Sequence, residues 1–503
     1  MLKSLRSLFQ PKVTGIYPEK HKLTATAAIA EAPLSSHYIL PLKQHIGEIC
    51  TPLVRVGDRV LKGQKIAKSQ GYLSAAIHAP TSGIITKIGE HAITHPSGLS
   101  MESIFIEADG NDQWDTTLAT LQDWKQLEPS ILRERVRLSG IAGLGGAVFP
   151  TFIKLLQDKN HPIESVILNG AECEPYLTND HRLMVEHSEE IVLGLQMILH
   201  MVKANTAIIA IEDNKPDAIA CFQRIITAQE LHHIEVKSLP SSYPQGSEKQ
   251  LIEFLTKKQV PAGKLPLHIG LICQNVGTTK AIHDAILWGK PLIERVVTVS
   301  GDAMPNPGNM RVRLGTPIDQ LLAWHGLENM DGCHLIHGGP MMGERLGHAH
   351  APVVKATNAV LAFLPQTMMA AHKEESPCIR CGDCSQVCPA SLTPNLLADL
   401  CRQDQFEKVA DYHLFDCIEC GCCSYVCPSH IPLVHYFRYG KGQLATIKRE
   451  KAFADESRQR SSAKEARIQR EKEAKEAAAA KRKQARAATA PVTPPTQPTE
   501  GQS

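Results

Sequence analysis

Cys378-Ile379-Arg380-Cys381-Gly382-Asp383-Cys384-Ser385-Gln386-Val387-Cys388-Pro389 is matched, 39 residues further on, by Cys417-Ile418-Glu419-Cys420-Gly421-Cys422-Cys423-Ser424-Tyr425-Val426-Cys427-Pro428. Both stretches read C-x2-C-x2-C-x3-C-P, and each patterned cysteine is displaced by the same 39 positions. The first three thiolates of a run can converge from one tight loop onto three corners of a cube. The fourth, followed by a proline that turns the chain away, cannot easily reach the same cube. The constant offset suits a duplicated unit with a pseudo-two-fold axis.

This spacing wraps [4Fe–4S] clusters in two-cluster bacterial ferredoxins, where the fourth cysteine of a run ligates the other cluster. One cluster is therefore assigned Cys378, Cys381, Cys384 and Cys427, and the other Cys417, Cys420, Cys423 and Cys388. Cys422 lies off the pattern and reads as a spare thiol. A pair of structural zinc sites is the competing reading, but zinc ligands usually come as two Cys-x2-4-Cys pairs well apart. Two clusters held close together form a wire for single electrons.

Composition bounds the rest. A chain of 503 residues predicts about three or four domains. A formal net charge of +2 gives no electrostatic case for nucleic-acid binding. Fifteen cysteines, eight in the two patterns, point to a reducing compartment. The most apolar region, 191–211, is broken by His200, Lys203 and Asn205, so no transmembrane helix is expected. Met1–Phe9 is basic with Leu2, Leu5 and Leu8 on one helical face, which suits an interfacial or docking helix or a frayed terminus.

The fold class expected is multi-domain, α/β plus α+β. After an N-terminal segment (1–36), residues 37–110 alternate short strands with glycine turns. They resemble the barrel-sandwich hybrid of biotinyl and lipoyl carrier domains. The hairpin tip, Ser69-Gln70-Gly71-Tyr72-Leu73-Ser74, has no lysine to acylate, so a structural or docking module is expected. Residues 130–295 alternate apolar runs of strand length (166–168, 207–211, 268–273) with 3.6-periodic stretches (189–200, 217–229, 247–257). That pattern predicts an α/β domain with a mainly parallel sheet, whose ligand loops lie past the strand carboxyl ends.

Four segments fall at such places. The first, Gly140-Ile-Ala-Gly143-Leu144-Gly145-Gly146-Ala147-Val148-Phe149-Pro150-Thr151-Phe-Ile-Lys154, lets backbone approach a ring or phosphate, but it is not the GxGxxG dinucleotide pattern. The others are Asn169-Gly170-Ala171-Glu172-Cys173-Glu174-Pro175-Tyr176, Tyr243-Pro244-Gln245-Gly246-Ser247-Glu248, and Cys273-Gln274-Asn275-Val276-Gly277-Thr278-Thr279. Residues 296–350 change texture again, with Gly301-Asp302 and His337-Gly-Gly-Pro340-Met341-Met342-Gly343. His348 and His350 form a His-x-His with no partner ligands nearby in sequence. From 449 to 503 the tail is first a charged helix without an apolar stripe, then disordered from Pro491. Its acids are read as nearly balancing its bases, favouring a solubilising or tethering role over membrane contact.

Taken together, these segments resemble the FMN- and NADH-binding flavoprotein subunit of respiratory complex I. They are more similar to the RnfC/RsxC family, a component of the Rnf (Rsx) ion-translocating electron transport complex, over about residues 1–440. The double cysteine run (domain 368–440) favours the latter, because the complex I subunit has a single cluster domain. The resemblance implies a β-grasp insert over 296–350. It implies two [4Fe–4S] clusters, non-covalent FMN along Gly143, Gly145, Gly146 and Phe149, and NAD(H). Lys154, Asn169, Glu172, Tyr243, Gly246, Glu248, Asn275 and Thr278 would contact the flavin, while Phe149 and Glu174 would help hold the nicotinamide nucleotide. Val148 stands where the family pattern has glycine, and Leu144 where the complex I subunit has arginine. A β-branched residue at 148 is expected to narrow the slot or exclude positive φ.

The reading is a peripheral electron-transfer subunit on the cytoplasmic face of a bacterial inner membrane, a translocase and oxidoreductase component. Implied partners are integral-membrane and other subunits of that complex, with ferredoxin or a redox-sensing iron–sulfur regulator as candidate electron partners. No Ser/His/Asp or paired-carboxylate constellation competes. Two alternatives stay open: a soluble diaphorase module of a hydrogenase or dehydrogenase, and a flavin-free iron–sulfur relay.

Overall fold

The computed structural model describes residues 15–488 apart from 72, 96, 159 and 372. The expected helix at Met1–Phe9 and the Pro/Thr/Gln-rich end from Pro491 lie outside the described residues, as does Tyr72 of the hairpin tip.

Four parallel strands, Ile234–Leu239, Thr206–Glu212, Ser165–Gly170 and Leu271–Asn275, form a sheet in that order. In all but the first of these strands, near-continuous apolar runs follow from burial on both faces. Val166, Leu168, Ile209 and Ile211 face helix Ser188–Val202, whereas Ile167, Ala210 and Cys273 face Leu251 and Ile252 of helix Glu248–Thr256. The edge strand Ile234–Leu239 escaped the sequence reading, since Glu235, Lys237 and Ser238 dilute its pattern. His268 sits in a 3-10 turn before the last strand rather than in the strand itself. The carboxyl ends of these strands place Asn169 and Asn275 side by side in register.

Two small sheets precede this domain. His37–Pro41, Ser100–Ala108, Gly83–Ala92 and Arg59–Val60 make one, and Thr51–Pro52, Lys65–Lys68 and Ile77–His78 the other. They sandwich Tyr38, Leu40, Ile66, Ile85, Ile104 and Ile106, all 5% exposed or less, which establishes the barrel-sandwich architecture. The hairpin end is not an extended arm. Leu73 O accepts from Glu48 N at 3.1 Å, and the Lys355 ammonium bridges Ala76 O (2.8 Å) to Gly140 O (2.6 Å) of the α/β domain.

A six-stranded mixed sheet follows, in the order Ile29–Glu31, Gly308–Arg313, Glu294–Ser300, Ala359–Phe363, His334–His337, Glu344–Arg345. It runs past residue 350 to include the fully buried Ala359–Leu361, and it recruits 29–31 from the N-terminal segment as an edge. The cysteine runs lie in a small helical domain whose core includes Leu397, Cys401, Val409, Leu414, Leu433 and Phe437.

Helix Pro394–Arg402 and the start of helix Leu433–Ala488 are again 39 residues apart. They cross so closely that a Cβ on Gly440 would lie 2.6 Å from Cys401 Sγ. Beyond Leu444 the long helix buries nothing. Its stretch 449–488 carries 13 Lys/Arg against 7 Asp/Glu, so the expected near-balance of charge is instead a positive excess. No helix among the described residues is long and apolar enough to cross a membrane.

The buried residues of that helix are Leu433, Phe437, Gly440 and Leu444. Truncation after Arg449 should therefore leave the thermal unfolding of the body unchanged, whereas Phe437→Ala should cost about 3–5 kcal/mol. A truncated chain melting as low as Phe437→Ala would show that the tail packs.

Candidate functional site

Duplication of the cysteine runs extends to the backbone. Arg380 and Glu419 have φ of 56° and 57°, Gly382 and Gly421 of 87° and 81°, and Ser391 and His430 of 52° and 51°; every pair is 39 apart. Glycine accepts the left-handed turn before the short helices Asp383–Gln386 and Cys422–Tyr425 without steric cost. Arg380 and Glu419 adopt it against preference, on the order of 1 kcal/mol each, which marks a backbone bent for a purpose.

Folded this way, Cys378, Cys381, Cys384 and Cys427 line one cavity, and Cys388, Cys417, Cys420 and Cys423 line a second together with Cys422. Among the described residues no three or more His, Cys, Asp or Glu close around one point as a single ion requires. Each quartet surrounds a space, as a cubane needs. Leu392 N and Glu419 N point at Cys388 Sγ and Cys417 Sγ, both at 3.4 Å. Amide bonds to sulfur of this kind tune iron–sulfur potentials. Cys378 and Cys381 are exposed, while Cys420 and Cys423 are buried.

The four loops meet at the carboxyl edge of the parallel sheet. Leu144 N donates to Thr278 Oγ1 (2.9 Å), and Asn169 Nδ2 to Gly246 O (2.9 Å). Asn275 caps the helix Val276–Leu287, accepting from Gly277 N and Thr278 N (2.9 and 3.2 Å). Lys154 Nζ pairs with Glu248 Oε2 at 2.5 Å and reaches Cys273 O at 3.3 Å.

Gly145 and Gly146 are exposed, and a Cβ on Gly146 would meet nothing within 4 Å. On the four loop segments or next to them in sequence, Thr151 Oγ1, Ser242 Oγ, Gln245 Nε2 and Gln274 Nε2 are buried without a protein hydrogen-bond partner. Orphaned polar atoms are costly unless something satisfies them. Their presence on or next to the four loop segments fits a ligand rich in hydroxyls and phosphate oxygens. Val148 has φ of 43°, so a β-branched residue did not exclude the left-handed turn; its carbonyl accepts from Ile46 N of the barrel-sandwich domain at 3.3 Å.

The acidic loop is more committed than its sequence suggests. Glu172 accepts from Asp180 N (2.8 Å) and His181 N (3.3 Å). Glu174 accepts from Met341 N (3.0 Å) and Met342 N (2.8 Å), so both its oxygens are engaged by the loop after Pro340. Asp180, absent from the sequence reading, accepts from Asn275 Nδ2 at 2.6 Å. Its only sequence signal was the polar triplet Asn179-Asp180-His181 after an acidic loop. Lys22 was also missed, in a stretch without any motif. Its Nζ donates to Glu172 O (2.7 Å), Glu174 O (2.9 Å) and Leu177 O (2.6 Å).

The second cysteine run and the end of the first, next to Cys388, abut these loops and the helix that follows them. Tyr243 Oη donates to Cys420 O at 2.6 Å, Gln250 Nε2 to Pro389 O at 2.7 Å, and Lys249 lies 3.5 Å from Asp416. Cys422, expected to be spare, is fully buried here with Sγ 3.8 Å from Tyr243 O.

Burial pushes the Glu174 carboxyl up to about 7, against the stabilising bonds from Met341 and Met342, and burial beside Glu172 likewise raises Asp180. A carboxyl raised in the fold ionises first in the unfolded chain. Stability should therefore fall as pH climbs from about 5 towards 7, by on the order of 2–3 kcal/mol for Glu174. Glu174→Gln should flatten part of that slope in pH-dependent denaturation, leaving the Asp180 share; an unchanged slope would contradict the assignment.

Comparison with known proteins divides the chain along the same lines. Residues 12–111 match the RnfC barrel sandwich hybrid domain, 136–284 the Nuo51 FMN-binding domain, and 370–428 a 4Fe-4S dicluster domain. A relative from Yersinia pestis bv. Antiqua, named as the C component of an ion-translocating oxidoreductase complex, is 45% identical over 91% of this chain and 73% of its own length. The protein of that name from Pseudomonas aeruginosa is 43% identical over 91% of this chain and 58% of its own. A solved NAD+-reducing [NiFe]-hydrogenase chain aligns at TM-score 0.44 and 18% identity, over 64% of this chain and 67% of that one, too distantly to carry an argument. With its flavin-binding and iron–sulfur domains in place, the chain belongs to the RnfC family of ion-translocating oxidoreductase complexes, as an electron-transfer subunit.

Proposed function

We propose that this chain passes electrons between NAD(H), non-covalent FMN and two [4Fe–4S] clusters, from the cytoplasmic face of a bacterial inner membrane. It would do so as a peripheral subunit that meets integral-membrane and other subunits of its complex, with ferredoxin or an iron–sulfur regulator as further electron partners. The observation that carries this reading is the junction itself: Tyr243, in a loop at the carboxyl edge of the parallel sheet, bonds Cys420 of the second cysteine run, while Gln250 bonds Pro389 at the end of the first run and Lys249 meets Asp416 just before the second.

FMN would lie along Gly143, Gly145, Gly146 and Phe149. Lys154 supplies a compact positive charge for a phosphate or an anionic ring. Asn169, Tyr243, Gly246, Glu248, Asn275 and Thr278 shape the floor. Glu172 orients the start of helix Asn179–Glu186, and Glu174 holds the Met341–Met342 loop beside the nucleotide. Bound FMN supplies the exchange of a hydride for two single electrons, chemistry that belongs to the cofactor.

The cysteine quartets then set a direction along the chain. The quartet of Cys388, Cys417, Cys420 and Cys423 adjoins the flavin loops, and the quartet of Cys378, Cys381, Cys384 and Cys427 has the exposed rim. The first is the inner relay and the second the outlet to a partner. The mixed sheet of 294–363 with helix Ile318–Trp324 is read as the β-grasp insert.

Anaerobically purified chain should contain about eight irons and one flavin. Cys427→Ser should damage the cluster whose other ligands come from the first run. Lys154→Ala should lower flavin occupancy, and Glu174→Ala should weaken nucleotide binding while flavin stays, each by about ten- to a hundredfold in affinity. Flavin content and NADH-driven reduction of an artificial acceptor check both. Full iron with no flavin in the wild type would transfer the case to a flavin-free relay. Removal from membranes by high salt is expected wherever integral partners are absent; retention through alkaline carbonate in their absence would sink peripheral attachment.

A further inference from the structure

Tyr243 is gripped at every polar atom it has. Its N–H donates to Ile16 O (2.9 Å) and its carbonyl accepts from Ile16 N (2.8 Å), while Cys422 Sγ lies 3.8 Å from the same carbonyl. Its hydroxyl donates to Cys420 O at 2.6 Å, and the side chain is 1% exposed. Ile16, Tyr243, Cys420 and Cys422 form one apolar cluster, joined by Met341, Ile418 and Val426. Such a hydroxyl-to-carbonyl bond inside a water-poor contact acts electrostatically far more strongly than at a surface.

The duplicated runs offer an internal control. Cys381, the counterpart of Cys420, is exposed, and Asp383 stands where the second run has Cys422. Two cages of the same spacing thus differ in what leans on them. A reduced cluster carries one more negative charge than the oxidised one, and a hydroxyl dipole aimed at a ligand's carbonyl stabilises that charge. Hydrogen bonds around the ligands and solvent exposure are levers that set such potentials.

We propose that Tyr243 is a positioning residue for electron transfer. Its hydroxyl raises the potential of the Cys388/Cys417/Cys420/Cys423 centre, so that this buried centre still accepts an electron from the flavin side. The inference rests on the flavin and two-cluster reading given above.

Tyr243→Phe removes the hydroxyl and little else. The full chain, purified anaerobically with its clusters, is titrated with redox mediators and followed by electron paramagnetic resonance. Mediators reach both clusters whether or not flavin is bound, so flavin loss in the variant does not blunt the readout. One cluster should shift to more negative potential by up to about tenfold in its equilibrium, ~59 mV for a one-electron couple, with its twin unmoved. The shifted signal should be the one less broadened by a water-soluble paramagnetic agent, since the twin has the exposed cysteines. Cys422→Ala, which leaves the hydroxyl in place, should shift that cluster less.

Unmoved potentials, a common shift of both clusters, or a shift of the exposed cluster alone would overturn the proposal. So would loss of iron in Tyr243→Phe, which would make the residue a structural prop. A wild type lacking flavin or half its iron would count against the underlying reading instead.

Discussion

One buried ammonium holds the junction together. Lys22 spends its three donors on the carbonyls of Glu172, Glu174 and Leu177, leaving none for water. Burial, helped by the nearby Lys215 charge, pushes its pKa down, and the Glu172 carboxylate opposes that. Taking an ammonium out of water costs several kcal/mol unless every donor is matched, so the three carbonyls must converge for the segment to dock. Convergence bends the acidic loop, and the bend aims Glu172 at the amides of Asp180 and His181 and Glu174 at those of Met341 and Met342. Met341 O in turn lies against Gly421, inside the second cysteine run. The path from N-terminal strap to cluster cage thus passes through one side chain that no motif marks.

That explains what was legible in the sequence and what was not. Cysteine spacing, glycine-rich turns and strand-length apolar runs are local signals, because each is fixed by the geometry of a few consecutive residues. They announced the paired cages, the parallel sheet and the loops at its carboxyl edge. The strap at 15–31 has no such signal. Its contacts with 172–178, Tyr243 and 309–311 span more than a hundred residues of sequence and depend on the domains already being assembled. The same limit hid Asp180, and it made Cys422 look spare: only the fold brings Tyr243 against it.

Val148 shows a local rule overridden for a reason that can be located. Left-handed backbone at a β-branched residue costs on the order of 1–3 kcal/mol and persists only where surroundings over-determine it. Here Ile46 N takes the Val148 carbonyl, and a few residues away Lys355 fastens Ala76 to Gly140 at the start of the same loop. The barrel-sandwich domain therefore grips the glycine-rich loop at both ends. A carrier-like hairpin without its lysine has become a clamp, and the clamp supplies the over-determination that valine in place of glycine requires.

The two cysteine cages are the opposite case, where the local pattern is so faithful that it conceals the difference that matters. Matched φ values at three pairs of positions mean that the two loops present thiolates in the same way. If spacing alone decided, the two cysteine quartets would be interchangeable. Packing breaks the symmetry. Lys441 donates to Cys417 O at 2.6 Å and pairs with Glu419, and Tyr243 covers Cys420, so the inner cage has charge and dipoles arranged around it. The outer cage keeps Cys378 and Cys381 open to solvent beside Ile379, which is 69% exposed. Duplication made two matching cysteine loops, and the asymmetric lean of the FMN-binding domain on one of them makes the two cages unlike in their surroundings.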